Sequence, residues 1–339
     1  MKNENSACPA EQFKTMIGGQ ALIEGIMMRG PEKQAVVVRH PEKGLVVKEE
    51  ALKKRTGVLT WPIIRGVVNF GSSMISGVKC LMWSAEQTDF EEDDKQSEPS
   101  KLDQWLEKKL GNEKFMSLLI TISLILGLGF SVGLFFLLPM LLGSLFQRLT
   151  GCGLVAQHLV EGVLRLGIFL LYMIAISKYK DMRRVFSYHG AEHKTIRCYE
   201  ARLPLTVENV RTMTRKHPRC GTSFLFVIMA LSIVLFTVLT AVLNALIPAF
   251  AALQSSNRLA YNLINIALKL FVMLPLVVSI GYEINRLVGR HDNRFTRILT
   301  APGMWFQNFT TNEPDDSMIE VAIRALELVL PEQEGADKW

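Results

Sequence analysis

The stretch at residues 222–248 reads TSFLFVIMALSIVLFTVLTAVLNALIP and carries no charged side chain. Because a helix needs about 20 mostly apolar residues to cross the hydrocarbon core of a bilayer, this stretch predicts one membrane-spanning helix. Runs of the same character lie at residues 115–142, 154–177 and 261–284. The sequence therefore predicts an α-helical polytopic membrane protein with about four transmembrane helices, arranged in hairpins at residues 113–177 and 222–285.

Basic residues are distributed unevenly between the connections that join these runs. Eleven lysines and arginines lie between residues 178 and 219, whereas the connections around Arg148 and Arg258 carry one each. Lysine and arginine accumulate on the cytosolic side of membrane proteins. We therefore predict a multi-pass protein of the plasma membrane with segment 178–221 and both termini in the cytosol. The net charge of +6 suits anionic lipid headgroups, so the lipid bilayer is the expected partner and nucleic acid is not.

The cysteines follow the same division. Cys152 lies alone in a predicted outer loop, and the remaining cysteines fall on the predicted cytosolic side, where thiols stay reduced: Cys8, Cys80, Cys198 and Cys220. Intrachain disulfides are therefore not expected. Cytosolic thiolates are instead available as metal ligands.

A small antiparallel β-sheet is predicted in a cytosolic region at residues 16–57, where apolar stretches alternate with turn residues. Three strands are expected, at residues 20–28, 34–39 and 45–49. Glycine within a strand indicates a bulge or a close approach by another group, and the glycines in question are Gly18, Gly19 and Gly25. We therefore expect the sheet to contact the segment 178–221.

Two charged residues of this sheet, Glu24 and Arg29, are expected to point toward that segment. The alternative is that both are solvated strand residues.

The regions outside the sheet and the spans complete the predicted organisation. Residues 1–15 are hydrophilic and are expected to be a disordered N-terminus without a signal peptide. Residues 58–86 are helical in pattern but too polar for a span, which favours an amphipathic helix in the cytosolic interface. Residues 87–112 are predicted to be an acidic linker, and residues 286–339 a cytosolic C-terminal helical region.

The sequence SYHGAEHK at residues 187–194 carries the most specific chemical pattern. In a helix, His189, Glu192 and His193 share one face, and two imidazoles at this spacing can bind one metal ion. The order His-x-x-Glu-His is that of the inverzincins, in which the glutamate is the general base. We therefore predict a divalent transition metal, with zinc the expected ion, and Glu192 as the catalytic residue. The alternative is that the histidines are interfacial polar residues and Glu192 pairs with Lys194 or an arginine.

A third metal ligand must come from elsewhere in the chain. The candidates by side-chain type are Cys198, His217, Cys220 and Glu283. Cys220 directly precedes the third apolar run, where a helix dipole lowers the pKa of a thiol. That position suits it to be either a ligand or a nucleophile.

Four motifs follow one another along the chain: GGQALIEGIMMRG at 18–30, YHGAEHK at 188–194, HPRCGTSF at 217–224 and QNFTTNEP at 307–314. Together they resemble the YqhQ-like family of bacterial membrane proteins, and the resemblance runs from about residue 16 to residue 330. It implies a bacterial inner-membrane location, a shared architecture and a shared His/Glu/Cys cluster in a predicted metal-dependent enzyme of uncharacterised substrate. Asn312 departs from the basic residue that the resemblance leads us to expect there.

Three kinds of function follow from these patterns. The first is a membrane-embedded metal-dependent enzyme, hydrolytic, which acts at the cytosolic face on a lipid-linked or membrane-peptide substrate with three protein ligands and a water on the metal. The second is a non-catalytic scaffold with a structural metal closed by four ligands, for example His193, Cys198, His217 and Cys220.

The third is a lipid- or solute-handling membrane protein with a polar cavity formed by Glu161, Arg165 and Glu283. The alternative for Glu161 and Arg165 is that they lie at the outer membrane interface. The sequence is compatible with a homo-oligomer and has no nucleotide-binding fingerprint.

Overall fold

The computed structural model describes residues 13–53, 55–88, 112–291, 293–333 and 335–338. The chain divides into two compact units. The first combines Met1–Asp89, Met173–Ile228 and Val278–Trp339, and the second combines Phe90–Tyr172 and Met229–Val277. The predicted disordered N-terminus, with Cys8, and the predicted acidic linker lie outside the described residues except for a few positions at their edges.

The described elements are four strands and a series of helices. The strands are β1 Gly18–Leu22, β2 Gly25–Arg29, β3 Lys33–His40 and β4 Gly44–Ala51. The first helices are α1 Ile64–Gln87, α2 Asn112–Val132, α3 Leu138–Thr150, α4 Leu154–Ile176, α5 Lys180–Glu200 and α6 Val207–Thr212. The later ones are α7 Gly221–Leu246, α8 Pro248–Ser256, α9 Arg258–Leu268, α10 Leu274–Arg290, α11 Arg294–Thr310 and α12 Asp316–Val329.

The sheet of the first unit is antiparallel with the order β1-β2-β3-β4. The prediction of three strands is wrong, because its first strand is a hairpin in which Leu22 pairs with Gly25 across a two-residue turn. Glu24 adopts a φ of 50°, and the tight turns of hairpins require such positive values. The turn at Ile23 and Glu24 carries no Asn-Gly or Asp-Gly signal, so the sequence pattern did not predict it.

Both faces of this sheet are covered, which explains why its central strands are apolar at consecutive positions. Alternate residues such as Ile26 and Val37 pack with α5 and α12 in one buried cluster. Their neighbours Met27 and Val36 face the other way and pack with Cys80 of α1. Helix α12 begins where the Asp315 side chain accepts a hydrogen bond from a backbone N–H of its first turn. The sheet therefore lies between α1 on one face and α5 and α12 on the other.

Within the part of the chain that the structure describes, four helical stretches are long and apolar enough to cross a membrane, and they confirm the predicted fold class. They are Thr121–Thr150, Leu154–Ile176, Phe224–Leu246 and Leu259–Arg290. Two of them include a π-helical turn, at Gly133–Leu137 and at Lys269–Met273. The first predicted run ended at residue 142, but the helix continues to Thr150 because no breaker intervenes before Gly151, whose φ is 68°.

A buried ionic network lies within the second unit. The Glu161 carboxylate accepts hydrogen bonds from Arg165 and from Lys269, each at 2.7 Å, and lies 3.3 Å from the His158 ring. Arg165 also donates to the Phe135 carbonyl in the first π turn. Ionisable groups at such depth are stable only when they pair with each other or with backbone carbonyls. Glu161 and Arg165 are buried and paired within the protein, which disagrees with the alternative in which they reach into solvent at the outer interface, and Glu283 is not part of this network among the described residues.

Candidate metal centre

Helix α5 presents the His-x-x-Glu-His motif beside its apolar face. Tyr188 and Ala191 pack into the core with the sheet, and Glu192 lies next to them, close enough to accept a hydrogen bond from the Gly19 N–H. The helix passes so close to the segment before α12 that a Cβ on residue 190 would clash with the Asn312 carbonyl oxygen. Glycine at position 190 is therefore what allows the motif to reach its neighbours.

Three side chains converge at the motif. His189, His193 and Cys220 each offer a ligand atom, and these atoms lie within 4.8 Å of one another. The His189 Nε2 atom is 3.2 Å from the Cys220 Sγ atom, and the two imidazole rings are 4.3 Å apart between centroids. Cys220 stands directly before the first residue of α7, so the helix N-terminus and the helix α5 face bring the three together.

Backbone carbonyls fix the orientation of both rings. The Nδ1 atom of His189 is 2.8 Å from the Thr310 carbonyl oxygen, and that of His193 is 2.6 Å from the Arg215 carbonyl oxygen. Each carbonyl oxygen accepts from a protonated Nδ1, so in the neutral form of either ring the lone pair is on Nε2, on the side of the cluster. Metal-binding histidines in proteins are held in this way. The His193 Nε2 atom is buried and has no hydrogen-bond partner among the described residues, and such an atom fits a metal ligand.

Glu192 lies beside the cluster with one oxygen held and one available. Its Oε1 atom accepts a hydrogen bond from the Gly19 N–H at 2.9 Å, whereas its buried Oε2 atom has no partner among the described residues. Burial raises the pKa of this carboxyl group, against the opposing effect of His189 and His193. Glu192 therefore has one carboxyl oxygen without a partner among the described residues, beside the three converging side chains.

The electrostatics of Cys220 favour the thiolate. Burial alone would raise the pKa of the thiol, but His193 and His189 hold it well below its ordinary value. Burial alone would lower the pKa of His189, and Cys220 and Glu192 instead raise it to about 9. Since the thiolate is the form that binds metals and attacks electrophiles, Cys220 is suited to either task.

His217, a predicted ligand, lies near the cluster but is held by other partners. Its backbone N–H and carbonyl are both bound by the Gln307 side chain, at 2.8 and 2.7 Å. Its Nε2 atom is 3.5 Å from a Glu200 oxygen, and its ring centroid is 5.6 Å from that of His193. Burial lowers the pKa of His217 to about 4, against the hydrogen bond to Glu200 that raises it. The ring is therefore a neutral neighbour of the three ligand atoms.

Two other predicted ligands lie elsewhere. Glu283 forms a bidentate ion pair with Arg65 of α1, with 2.6 Å between the Arg65 Nε atom and the Glu283 Oε1 atom. Cys198 is fully buried against Val210 and Ile319, and its thiol donates to the Pro204 carbonyl oxygen at 3.5 Å. The sequence placed both near the motif, but an ion pair in one case and an apolar pocket in the other hold them away from it.

The contact between sheet and motif is confirmed, and one of the three expected glycines makes it. A Cβ on Gly19 would lie 3.0 Å from the Glu192 Cδ atom, whereas a Cβ on Gly18 would meet nothing within 4 Å. Glu24 points to the segment 178–221 as expected, where it pairs with Arg184 and accepts a hydrogen bond from the Tyr188 hydroxyl at 3.1 Å. Arg29 does not, and lines a separate cleft.

A small cavity of about 110 Å³ opens beside the cluster. Its lining includes Glu192, His193, Cys220 and the glycines of β1. It offers room for a water or a small reacting group next to the ligand atoms.

Sequence reasoning missed Glu200 and Gln307, which set the state of His217. Glu200 lies seven residues after His193 and therefore on the same helix face, a spacing that could have pointed to it. Gln307 begins the QNFTTNEP motif, but nothing local connects it to residue 217.

Comparison with known proteins places this chain among relatives that carry no described activity. The family described as Protein of unknown function (DUF1385) matches residues 61–332. The Uncharacterized protein YqhQ of Bacillus subtilis (strain 168) is 31% identical over 319 residues, which is 92% of this chain and 92% of that protein. No solved structure matches. The resemblance to YqhQ is confirmed, but these descriptions do not support its extension to a metal-dependent enzyme.

Proposed function

This chain belongs to the family described as Protein of unknown function (DUF1385), and we propose that it is a membrane-embedded metal-dependent hydrolase with its site at the cytosolic face. The observation that carries the proposal is the arrangement of His189, His193 and Cys220. The ligand atoms of these three residues converge. The Nδ1 atom of each imidazole is bound to a backbone carbonyl. Two nitrogens and one sulfur suit zinc better than magnesium or calcium.

The number of ligands supports an enzyme over a structural site. Catalytic zinc keeps three protein ligands and one open position, whereas structural zinc is closed by four. The scaffold interpretation took His217 and Cys198 as example ligands, and these contact Glu200 and the Pro204 carbonyl instead. Three ligands with an unpaired carboxylate oxygen beside them favour catalysis.

Each residue then has a definite task. His189, His193 and Cys220 would hold the ion, which when bound supplies Lewis-acid activation of water and of a carbonyl or phosphoryl oxygen. Glu192 accepts a proton at Oε2, and the Gly19 N–H keeps its other oxygen fixed. Burial raises the pKa of Glu192, which is the direction that favours a general base.

The location of the site supports a membrane-borne substrate. Cys220 comes four residues before the candidate span Phe224–Leu246, so the cluster would lie where that helix leaves the bilayer. The connection 178–221, with its many basic residues, favours the cytosolic side. The substrate class we propose is lipid-linked or a membrane peptide.

The experiment uses zinc-loaded protein in nanodiscs, incubated with a membrane extract in ¹⁸O-labelled water. Hydrolysis places the label in a product that mass spectrometry detects, so the substrate need not be known in advance. Glu192→Gln should retain zinc and lose labelling by about 100-fold or more, because the amide accepts no proton. Glu208→Gln, an exposed change in α6, is the matched control and should behave as the wild type.

Two outcomes would overturn the proposal. Equal labelling by Glu192→Gln and wild type would remove the proposed base. Stoichiometric zinc without labelling, together with unfolding on chelation, would indicate the structural-metal scaffold.

A second candidate, a thiol hydrolase without metal, is favoured by one contact. The His189 Nε2 atom lies 3.2 Å from the Cys220 Sγ atom, as in a nucleophile and its base. In that case zinc would protect Cys220 from iodoacetamide and inhibit hydrolysis. In a zinc hydrolase, removal of zinc would abolish it.

A further inference from the structure

A second and larger cavity of the first unit is lined by basic residues. It has a volume of about 800 Å³, and no aspartate or glutamate is among its lining residues. The arginines that line it are Arg29, Arg55, Arg65, Arg286 and Arg290, and two lysines join them. We call this cavity the basic cleft.

The positive charge of the basic cleft is only partly neutralised within the described residues. Arg65 is paired with Glu283, but Arg55 donates to the neutral side chains of Asn69 and Ser72. The Arg29 guanidinium group makes no hydrogen bond or ion pair with a described residue; burial and then the nearby charge of Arg55 lower its pKa, whereas Tyr282 raises it. An anion in the cleft would compensate the positive charge of these arginines.

We infer that the basic cleft binds the phosphate group of an anionic lipid, with Arg29 and Arg55 as its principal ligands. Guanidinium groups match phosphate because they donate paired hydrogen bonds in one plane. The volume accommodates a headgroup, and pockets for small ligands fall in this size range.

The walls of the cleft argue for a lipid and against free phosphate as the natural ligand. One wall is α1, which carries exposed apolar side chains outside the lining of the cleft, among them Phe70 and Ile75. The other wall is the end of the last candidate span, with Tyr282, Arg286 and Arg290.

Arginine and tyrosine at the end of an apolar span lie at the level of lipid headgroups, and an apolar helix face beside them suits the acyl boundary. Asn69 of α1 donates to the Tyr282 hydroxyl at 2.9 Å, which joins these walls. The cleft therefore opens where headgroups are found.

The cleft also adjoins the metal centre. Met16, Gly18 and Gly19 line both the basic cleft and the small cavity beside the cluster, and the Gly19 N–H is bound to Glu192. A headgroup in the cleft would thus lie one strand away from the base. A role of this lipid as substrate rests on the proposed function, whereas its binding in the cleft does not require the metal.

Binding is measured by fluorescence polarisation with full-length protein in neutral detergent and a fluorescent phosphatidic acid, against a matched phosphatidylcholine. The wild type should prefer phosphatidic acid, and the Arg29→Gln, Arg55→Gln double variant should lose about 10-fold or more in affinity, since charged hydrogen bonds contribute about 1.5–3 kcal/mol each. Arg324→Gln removes one exposed charge of α12 outside the cleft and should change nothing. Arg290→Gln, exposed at the rim, should weaken binding without a risk to folding.

The lipid comparison, the variants and the phosphate competition each have a result that would overturn the inference. Equal affinity for both lipids, or an undisturbed preference in both cleft variants, would overturn the inference. Displacement of the lipid by inorganic phosphate at equal concentration would make this a site for free phosphate and overturn the lipid assignment. Cys220→Ala should bind phosphatidic acid as the wild type does, so a failure of the metal proposal leaves a distinct result. Loss of lipid binding in Cys220→Ala would place the ligand outside the cleft.

Discussion

The Gly19 N–H holds one oxygen of Glu192, and the absence of a side chain at that position permits the contact. A Cβ on residue 19 would lie 2.7 Å from the Met27 carbonyl oxygen, closer than real contacts allow, and 3.0 Å from the Glu192 Cδ atom, which is tighter than most real contacts. A Cβ on the adjacent Gly18 would meet nothing within 4 Å. The two glycines are therefore a matched pair, of which one bears on the proposed base.

We predict that Gly19→Ala lowers hydrolytic labelling by about 100-fold, the effect of misplacing a reacting group by about 1 Å. Zinc content should stay unchanged, because no ligand moves. Gly18→Ala should match the wild type in both measurements. Equal activity of the two variants would show that the Gly19 contact has no part in the reaction.

His217 makes stability depend on pH. Its pKa is lowered to about 4 by burial, against Glu200, from an ordinary value of 6.5. The unfolded chain takes up a proton near pH 6.5 that the folded chain refuses until about pH 4, so the free energy of unfolding falls as pH falls through that window. At about 1.4 kcal/mol per pH unit, the loss is about 3 kcal/mol at most.

Thermal midpoints in detergent between pH 7 and pH 4 check this prediction, and His217→Asn should flatten the curve. Burial alone would raise the pKa of Glu200, but His217 and Arg219 lower it below 4.5. Its contribution is fully present above about pH 4.5 and is lost as pH falls below that value, so the two curves are compared above pH 4.5. A His217→Asn curve as steep as that of the wild type would contradict the assignment.

Among the elements, α5 and the segment after α11 form the frame of the centre. The Asn312 N–H donates to the Phe186 carbonyl oxygen at 2.9 Å, and the Asn312 side chain donates to the Arg183 carbonyl oxygen at 3.0 Å. Thr310, the last residue of α11 before this segment, supplies the carbonyl that orients His189. Asparagine, where a basic residue was expected, thus acts through amide hydrogen bonds to α5.

We predict that Gly190→Ala lowers zinc affinity by about 10- to 100-fold, as loss of an orienting partner does. The new Cβ would meet the Asn312 carbonyl and push α5 away from Thr310. Gly167→Ala in α4, where nothing lies within 4 Å, is the helical control. Competition with a fluorescent zinc chelator measures both affinities, and a Gly190→Ala value within 2-fold of the wild type would contradict the account.

The sequence predicted those elements whose cause is local. Period and length sufficed for the four apolar helices, and the spacing of His189 and His193 sufficed for their shared face. The hairpin at Glu24 was missed because its turn lacks the usual residues. Glu283 was misplaced because its partner, Arg65, is more than two hundred residues away in the chain. Gln307 was missed because its partner, His217, is also distant in the chain.

At the scale of the whole molecule, the proposal depends on which side of the membrane holds the site. Cys198 was the natural internal reporter by sequence, but it is fully buried and no reagent in water would reach it. Cys152 is partly exposed, and Glu208 in α6 is exposed. These positions are better reporters of the two sides.

We predict that an impermeant maleimide labels Cys152 in intact cells and labels Glu208→Cys only after permeabilisation. The reason is the excess of basic residues in the connection 178–221. Labelling is compared with that of a Cys152→Ser variant, which reports the background from other cysteines. Labelling of residue 208 in intact cells would move the site to the outer face and exclude a cytosolic substrate.

The central claim is that His189 and His193 bind one metal ion, and metal analysis of the purified full-length protein tests it most directly. We expect about one zinc per chain in the wild type and almost none in the His189→Ala, His193→Ala double variant, since each loss removes a ligand from a three-ligand site. A His40→Ala, His291→Ala double variant removes the same number of histidines elsewhere and should keep its zinc. Stoichiometric zinc in the His189→Ala, His193→Ala variant, or none in the wild type after growth with added zinc, would contradict the account.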